Sequence, residues 1–400
     1  MSLLKKVYMT RKPSKKDLVG IVGAGTMGTG IARIAATFGH NVRLYDSYPD
    51  QLGNAKHNLR NTLQQQVEKD QITQQKVNDI MERINFSEDM TGFASCRLVI
   101  EAVPEDLEIK RDVFRRIEGI VPNDCILATN TSSLSIASIS SALKRPGRFL
   151  GIHFFNPAPR SALVEIIAGI ASDRQPVETA RHLMEQWGKT TVASRDTPGF
   201  IVNRVGRPFY GEALRQLEEG VADISTIDWA MKEIGGFAMG PFERMDLVGN
   251  DINYKVTKSI FEAFYYDPRF KPSFTQKRMM EAGYLGQKSG KGFYEYGRNA
   301  TRPTPVRDRD LGKKIADRIL VMLINEAADA VFMNIASVEE IDLAMRLGAN
   351  YPKGLLEWAD EKGLKNVLDQ LTALHVEYRE DRYRPNPLIK HKVRNEDTFC

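Results

Sequence analysis

Residues 18–30 read LVGIVGAGTMGTG. A short apolar run ends at Gly23, and Gly23, Gly25 and Gly28 stand at the G-x-G-x-x-G spacing. A helical apolar pattern runs from Thr26 to Phe38 directly after. A buried strand, a glycine turn and a helix in that order suit few backbones, because each glycine has its own task. Gly23 permits the tight turn, Gly25 lets the backbone approach a pyrophosphate, and Gly28 lets the helix pack close to the strand. The first helical turn, Thr26 and Met27 included, offers N–H groups without intrahelical partners and the positive end of the helix dipole. A second strand, NVRLYD over 41–46, ends in Asp46, eighteen residues beyond Gly28. An acid there accepts hydrogen bonds from a ribose 2′-hydroxyl and repels a 2′-phosphate, which favours NAD over NADP. A glycine turn that only packed tightly would need neither the helix nor the acid in register.

The alternation continues to about residue 195. A long polar helix is expected from Pro49 to about Glu68. Apolar strands are expected at 97–103 (RLVIEAV), 125–130 (CILATN) and 148–155 (RFLGIHFF), with a helix over LEIKRDVFRRIEGIV after the first. Strands alternating with helices predict a parallel sheet covered on both faces. Beyond DTPGF (196–200) strand signals nearly vanish and helical periodicity dominates. This half repeats itself. Residues 204–249 lie over 318–363 at a constant offset of 114, with Arg204/Arg318, Glu212/Glu326, Asp228/Asp342, Gly240/Gly354 and Asp246/Asp360 among the identities. The expected organisation is a basic lead-in over 1–17, an α/β Rossmann-type NAD-binding domain over 18–198, and two copies of an all-α module over 199–297 and 302–400.

Composition enters by exclusion. A chain of 400 residues that is 42% hydrophobic can bury the cores of two or three domains. The net charge of +5 is mild, and no basic surface interleaved with aromatics points to nucleic acid. No apolar run approaches the roughly 18 residues of a membrane-spanning helix. Cys96, Cys125 and Cys400 have no metal-ligand spacing and form no disulfide framework, which fits a reducing, cytoplasmic compartment. The basic start MSLLKKVYMTRKPSKK lacks acids, but its apolar content is thin and Pro13 interrupts it. A disordered lead-in is preferred there to a mitochondrial transit peptide.

Hydride chemistry through a nicotinamide needs a group that takes a hydroxyl proton. His153, one of only six histidines, ends the run RFLGIHFF, and Glu165 follows twelve residues on in LVEII. An imidazole titrates near neutrality and works best when a carboxylate fixes its tautomer. Spacing leaves open whether the two meet, and a core or capping histidine is the alternative. Ser132, in NTSS, follows the strand CILAT at the end where open α/β sheets bind ligands. Glu105 and Lys110 follow RLVIEAV, and Asn203 opens the first helix after the boundary. Each also has a structural reading. Ser132 and Ser133 would cap a helix beginning near Ser135, Lys110 would be a solvated helix charge, and Asn203 a cap or interior helix residue.

Taken together, GAGTMG, EAVPEDLEIK, NTSSL, HFFNP, LVE, DTPGFIVNR, MGPFE-x-x-D and GxKSGKGFY resemble segments of the L-3-hydroxyacyl-CoA dehydrogenase family, in that family's order from about residue 18 onward. The resemblance implies reversible oxidation of an acyl-CoA substrate, a (3S)-3-hydroxyacyl-CoA, to the 3-oxoacyl-CoA with NAD, in fatty-acid β-oxidation or a related pathway. It implies His153 as general base, Glu165 as its orienting carboxylate, and Ser132 and Asn203 as holders of the substrate oxygen. Gly23, Gly25, Thr26, Met27, Gly28 and Asp46 are then cofactor-binding, joined by Glu105, Lys110, Asn156 and Lys288. The helical modules are similar to the C-terminal type of 6-phosphogluconate dehydrogenase. In single-copy relatives such a module makes the dimer, so the second copy is expected to dock on the first as an internal pseudo-dimer, with a homo-oligomer still open. Asp317 stands where the repeat would place Asn203, which makes the second copy structural. No hydratase segment precedes residue 18, so a stand-alone dehydrogenase or part of a longer protein is expected. Family members commonly carry Met where this chain has Ser161; Arg160 would be a solvated loop charge, the preferred reading, or a contact to an acyl or CoA polar group, so Arg160, Ser161 and Ala162 leave the acyl preference open. A non-CoA hydroxy acid as substrate and a non-catalytic NAD-binding protein are the alternatives.

Overall fold

The computed structural model describes residues 17–298 and 300–400, so the basic lead-in lies, but for Asp17, outside the described residues. The chain divides into two compact units, one ending at Asp196 and one running from Thr197 to Cys400. The first unit is built from β1 (Leu18–Val22), α1 (Thr26–Thr37), β2 (Val42–Tyr45), α2 (Pro49–Glu68), α3 (Gln74–Arg83), β3 (Ile84–Ser87), β4 (Cys96–Glu101), α4 (Leu107–Glu118), β5 (Ile126–Thr129), α5 (Ile136–Ser140), β6 (Phe149–Phe154), β7 (Leu163–Ala168), α6 (Arg174–Gln186) and β8 (Thr190–Arg195). The strands form one sheet in the order β3-β2-β1-β4-β5-β6-β7-β8. After β1 the chain first builds outward on one side and then crosses to the other. The carboxyl ends of β1 and β4 therefore flank a topological switch point, where open α/β sheets bind ligands.

Side-chain size explains how α1 sits on this sheet. Ile31, Ala32 and Ala35 on its inner face are fully buried. A Cβ on Gly28 would stand 1.8 Å from the Gly23 carbonyl oxygen, so only glycine lets the helix start that close to the turn. The long helix α2 is polar overall, yet Leu52, Ala55, Leu59 and Leu63 recur at helical spacing on its buried face. Each leucine buried in this way contributes about 2 kcal/mol. Strand β3 escapes sequence patterning because only its first residue is buried, so it carries little apolar signal.

One pairing departs from the expected parallel sheet. Strands β6 and β7 pair antiparallel, with His153 opposite Glu165 and Phe154 opposite Val164. Only residues 155–162 connect them. A parallel return needs a crossover of roughly a dozen residues or more, so the short loop forces the chain to double back.

The second unit is helical, and no strand is present in it among the described residues. Its internal repeat is visible at atomic detail. Asp228 accepts the backbone N–H groups of Phe242 and Glu243 at 2.9 and 3.0 Å. One offset later, Asp342 accepts those of Leu356 and Glu357, both at 2.9 Å. A Cβ on Gly240 or Gly354 would strike the carboxylate of Asp228 or Asp342 at 2.4 and 2.3 Å, which accounts for the glycine in both copies. The copies also face one another reciprocally. Arg204 donates through Nε to Glu326 at 2.7 Å, and Arg318 donates through Nε to Glu212 at 3.0 Å. Both members of each pair are shifted by the same 114 residues, which is the signature of a two-fold relation between like surfaces. Among the described residues no helix is long and apolar enough to cross a membrane.

Candidate active site

The turn between β1 and α1 is shaped for an anion. Gly23 has φ +101°, a conformation that favours glycine. Gly25 occupies the N-cap of α1 without a side-chain bond, and the first helical turn carries no acid. Its N–H groups are therefore left for a negatively charged group at the positive end of the helix dipole. Nothing lies within 4 Å of where a Cβ on Gly25 would be, so the backbone there is open to close approach. Asp46, at the end of β2, is tied to the turn, accepting N–H from Ala24 at 2.7 Å and from Tyr48 at 3.0 Å. A cleft of about 620 Å³ opens here, lined by Gly23, Thr26, Met27, Asp46 and Ile109 among others. Orphan N–H donors, an exposed glycine backbone and an acid beside a partly apolar cleft fit the adenosine and pyrophosphate of NAD.

Next to this turn, a charged cluster closes the carboxyl ends of β4 and β5. Lys110, on α4, is 1% exposed, so the alternative of a solvated helix charge does not hold: it is buried between two acids. Its ammonium donates to Glu101 Oε1 at 2.6 Å and to the Val103 carbonyl at 3.3 Å, and lies 3.3 Å from Glu105 Oε2. Glu105 in turn grips the NTSS loop. Its Oε1 accepts from Thr131 Oγ1 at 2.5 Å, from the N–H groups of Ser132 and Ser133 at 3.1 Å, and from Ser133 Oγ at 2.9 Å. Burial alone pushes the Glu105 carboxyl up, but the Lys110 charge and these hydrogen bonds outweigh it and hold the carboxyl below its ordinary range. Burial pushes the Glu101 carboxyl the other way, up from its ordinary value. Ser132 and Ser133 do not cap α5. Ser135 does so through its hydroxyl, and Asp196 accepts the N–H groups of Ile136 and Ala137.

The third part is the β6–β7 pair. His153 is 5% exposed and Glu165 is fully buried. His153 Nδ1 lies 2.6 Å from Glu165 Oε2. The antiparallel register makes them direct cross-strand neighbours on one face, where side chains stand close enough to bond. The ring of Phe155 packs at 4.5 Å from the imidazole. Asn130 accepts the Phe154 N–H at 2.8 Å and so ties the end of β6 to the NTSS loop. Asn156 follows, exposed, in the loop beyond β6.

The structure thus brings together His153 with Glu165, Asp46 with the glycine turn, and Glu105 and Lys110 with the loop that carries Ser132. Asn203 and Lys288 belong to the second unit. The Asn203 carbonyl accepts Arg207 Nε at 2.8 Å, and Lys288 Nζ donates to Asp251 at 2.6 Å. Asp317, the repeat partner of Asn203, is held by Lys362 at 2.7 Å. Sequence reading missed Glu101, Asn130 and Asp196. Glu101 did leave a signal: it is an acid closing an apolar strand, where a buried charge demands partners.

The NAD binding domain of 3-hydroxyacyl-CoA dehydrogenase matches residues 18–197, and the C-terminal domain of 3-hydroxyacyl-CoA dehydrogenase matches twice, over 199–296 and 315–398. A 3-hydroxyadipyl-CoA dehydrogenase of Escherichia coli K12 is 36% identical, with 94% of this chain and 97% of that protein aligned. A 3-hydroxybutyryl-CoA dehydrogenase of Bradyrhizobium diazoefficiens is 38% identical over 72% of this chain and 98% of its own. The crystal structure of a 3-hydroxybutyryl-CoA dehydrogenase from E. coli K12 superposes with a TM-score of 0.89 at 34% identity, covering 95% of this chain and 99% of that one. Two family domains spanning most of the chain, and relatives alike over their full lengths, show that this NAD-dependent oxidoreductase belongs to the 3-hydroxyacyl-CoA dehydrogenase family.

Proposed function

We propose that the chain catalyses the reversible oxidation of (3S)-3-hydroxyacyl-CoA to 3-oxoacyl-CoA, with His153 as the base and Glu165 as its partner. The observation that carries this reading is the buried His153–Glu165 contact of 2.6 Å at the ligand-binding end of the sheet. NAD, when bound, supplies the hydride acceptor. An ionised Glu165 accepts N–H from Nδ1, so the imidazole carries its lone pair on Nε2. Nε2 takes the 3-hydroxyl proton, and Glu165 compensates the charge that develops on the ring. Both groups are out of water, where that compensation counts for more. Ser132 holds the substrate oxygen, and Glu105 and Asn156 join Asp46 and the glycine turn along the cofactor, with Lys110 buried behind Glu105.

A second cleft of about 710 Å³, lined by Arg33, Asn58, Thr62, Gln66, Pro157 and Arg160, supports a CoA ester over a small free acid. Arg33 and Arg160 line this cleft together, and burial and the Arg160 charge push the Arg33 guanidinium below its ordinary value, so an anionic group between them would offset the repulsion. In this reading Arg160, exposed at the rim of the cleft, is a contact for a polar group of the ester rather than a solvated loop charge. The relatives named for 3-hydroxyadipyl and 3-hydroxybutyryl esters differ in the acyl group and share the carbon that is oxidised, which fits fatty-acid β-oxidation or a related acyl-CoA pathway. Cys96, Cys125 and Cys400 are unpaired, as suits a reducing cytoplasm.

The test is turnover of acetoacetyl-CoA with NADH by the wild type and by His153→Ala. The wild type is expected to consume the ester, and the variant to lose on the order of 10²–10⁴ in kcat. Undiminished turnover by the variant overturns the base. Oxidation of free hydroxy acids with NAD+, with no turnover of the ester in either direction, overturns the substrate class.

A further inference from the structure

We propose that Glu101 is a positioning residue of the dehydrogenase reaction, acting through Lys110 and Glu105 on the loop that carries Ser132. The proposal rests on the reading that Ser132 holds the substrate oxygen. Glu101 is the last residue of β4 and is fully buried. Its two oxygens are engaged by three donors from different parts of the unit: Lys110 Nζ at 2.6 Å, the Val103 N–H at 2.7 Å and Thr129 Oγ1 at 2.7 Å. The carboxylate therefore ties together the ends of two strands and the first turns of α4.

The chain of contacts then runs outward. An ammonium has three N–H donors and no acceptor. Those of Lys110 face Glu101, the Val103 carbonyl and Glu105, so its direction is fully specified. Glu105 presents Oε2 to that ammonium, which leaves Oε1 to gather four donors from Thr131, Ser132 and Ser133. Charges alternate along the line, negative, positive, negative, from the floor of the sheet to the loop. Take the first away, and Lys110 keeps Glu105 as its one acid partner. The ammonium is then drawn toward that carboxylate and competes with the loop for it. Ser132 loses its fixed place relative to the β6 strand end that holds His153, to which Asn130 ties the same loop.

A buried ion pair of this kind is weak evidence for stability, because apolar groups of similar volume often do as well or better. Its consequence is directional: it admits one arrangement of the lysine. Nothing in the cofactor or base assignments uses Glu101, and it reaches neither NAD nor substrate in this reading.

The experiment is a double-mutant cycle in the full chain, Glu101→Gln and Ser132→Ala singly and together, with kcat and KM for acetoacetyl-CoA, Kd for NADH and the melting temperature. E101Q is expected to lower kcat on the order of tenfold to a hundredfold, as small misplacements at a reacting centre do. In the S132A background the same change is expected to alter kcat by less than about twofold, because what it positions is already gone. Equal fold losses in both backgrounds overturn the proposal while leaving Ser132 its role. A kcat for S132A equal to wild type removes Ser132 from the reaction, and the proposal falls with it. Should E101Q fail to fold, Glu101→Asp keeps the charge and shortens its reach to Lys110. It is expected to give a smaller loss of kcat that also disappears in S132A, and a loss that persists there overturns the proposal.

Discussion

A carboxylate held against a histidine can act by orienting the ring or by supplying charge, and Glu165 can be made to do one without the other. Glutamine still offers an oxygen to the Nδ1–H of His153 but carries no charge. Glu165→Gln is expected to lower kcat on the order of tenfold to a hundredfold with KM for acetoacetyl-CoA within about twofold, because the lost interaction belongs to the transition state. Steady-state kinetics check both parts. Glu105 offers a test in pH. Its folded-state pKa lies below the ordinary 4.5, so it adds stability above that value and loses it as pH falls through the folded value. The gap in melting temperature between wild type and Glu105→Gln is therefore expected to be widest near neutral pH and to close below pH 4.5. A gap constant across that range would remove Glu105 from the charged cluster. Neither partner set was visible residue by residue. His153 and Glu165 were legible as candidates from type and position; Lys110 was a candidate through the family resemblance, but spacing did not show that Glu101 is its partner.

The glycine turn separates two roles that a sequence motif merges. Gly25 meets nothing within 4 Å in the protein, whereas Gly28 meets the Gly23 carbonyl. Gly25→Ala is expected to leave the melting temperature unchanged and to weaken NADH binding, since the added methyl enters the space a pyrophosphate would use. Gly28→Ala is expected to cost about 1–3 kcal/mol in urea unfolding, as overpacking does, because backbone must move to admit it. The order of strand, turn and helix was legible here because each piece is local. The β6–β7 return was legible only as two apolar runs; their antiparallel sense followed from the length of the loop.

At the scale of the molecule, the second half is a repeat folded against itself. Arg204 is 2% exposed, and Glu326 from the other copy holds it together with Asp329. Glu326→Ala strips a buried guanidinium of a partner and is expected to cost about 3 kcal/mol in urea unfolding. Lys365→Ala removes a pair with Asp369 that is 78% and 60% exposed, and is expected to change stability by less than about 0.5 kcal/mol. Equal effects from the two would mean that the copies are not held by these ions. The reciprocity of Arg204–Glu326 and Arg318–Glu212 also explains why the repeat keeps both residue types in both copies: each serves the other half.

By itself the sequence determined what local pattern can determine: alternating strands and helices, a glycine turn ending in an acid eighteen residues on, and a helical module present twice. These are matters of period and spacing along one chain. The tertiary structure decided which side chains meet. Register places His153 opposite Glu165, and a slip of one residue would turn them to opposite faces of the sheet. Burial turns Lys110 from a helix charge into the link between Glu101 and Glu105, because a charge out of water needs partners that only the folded neighbourhood supplies.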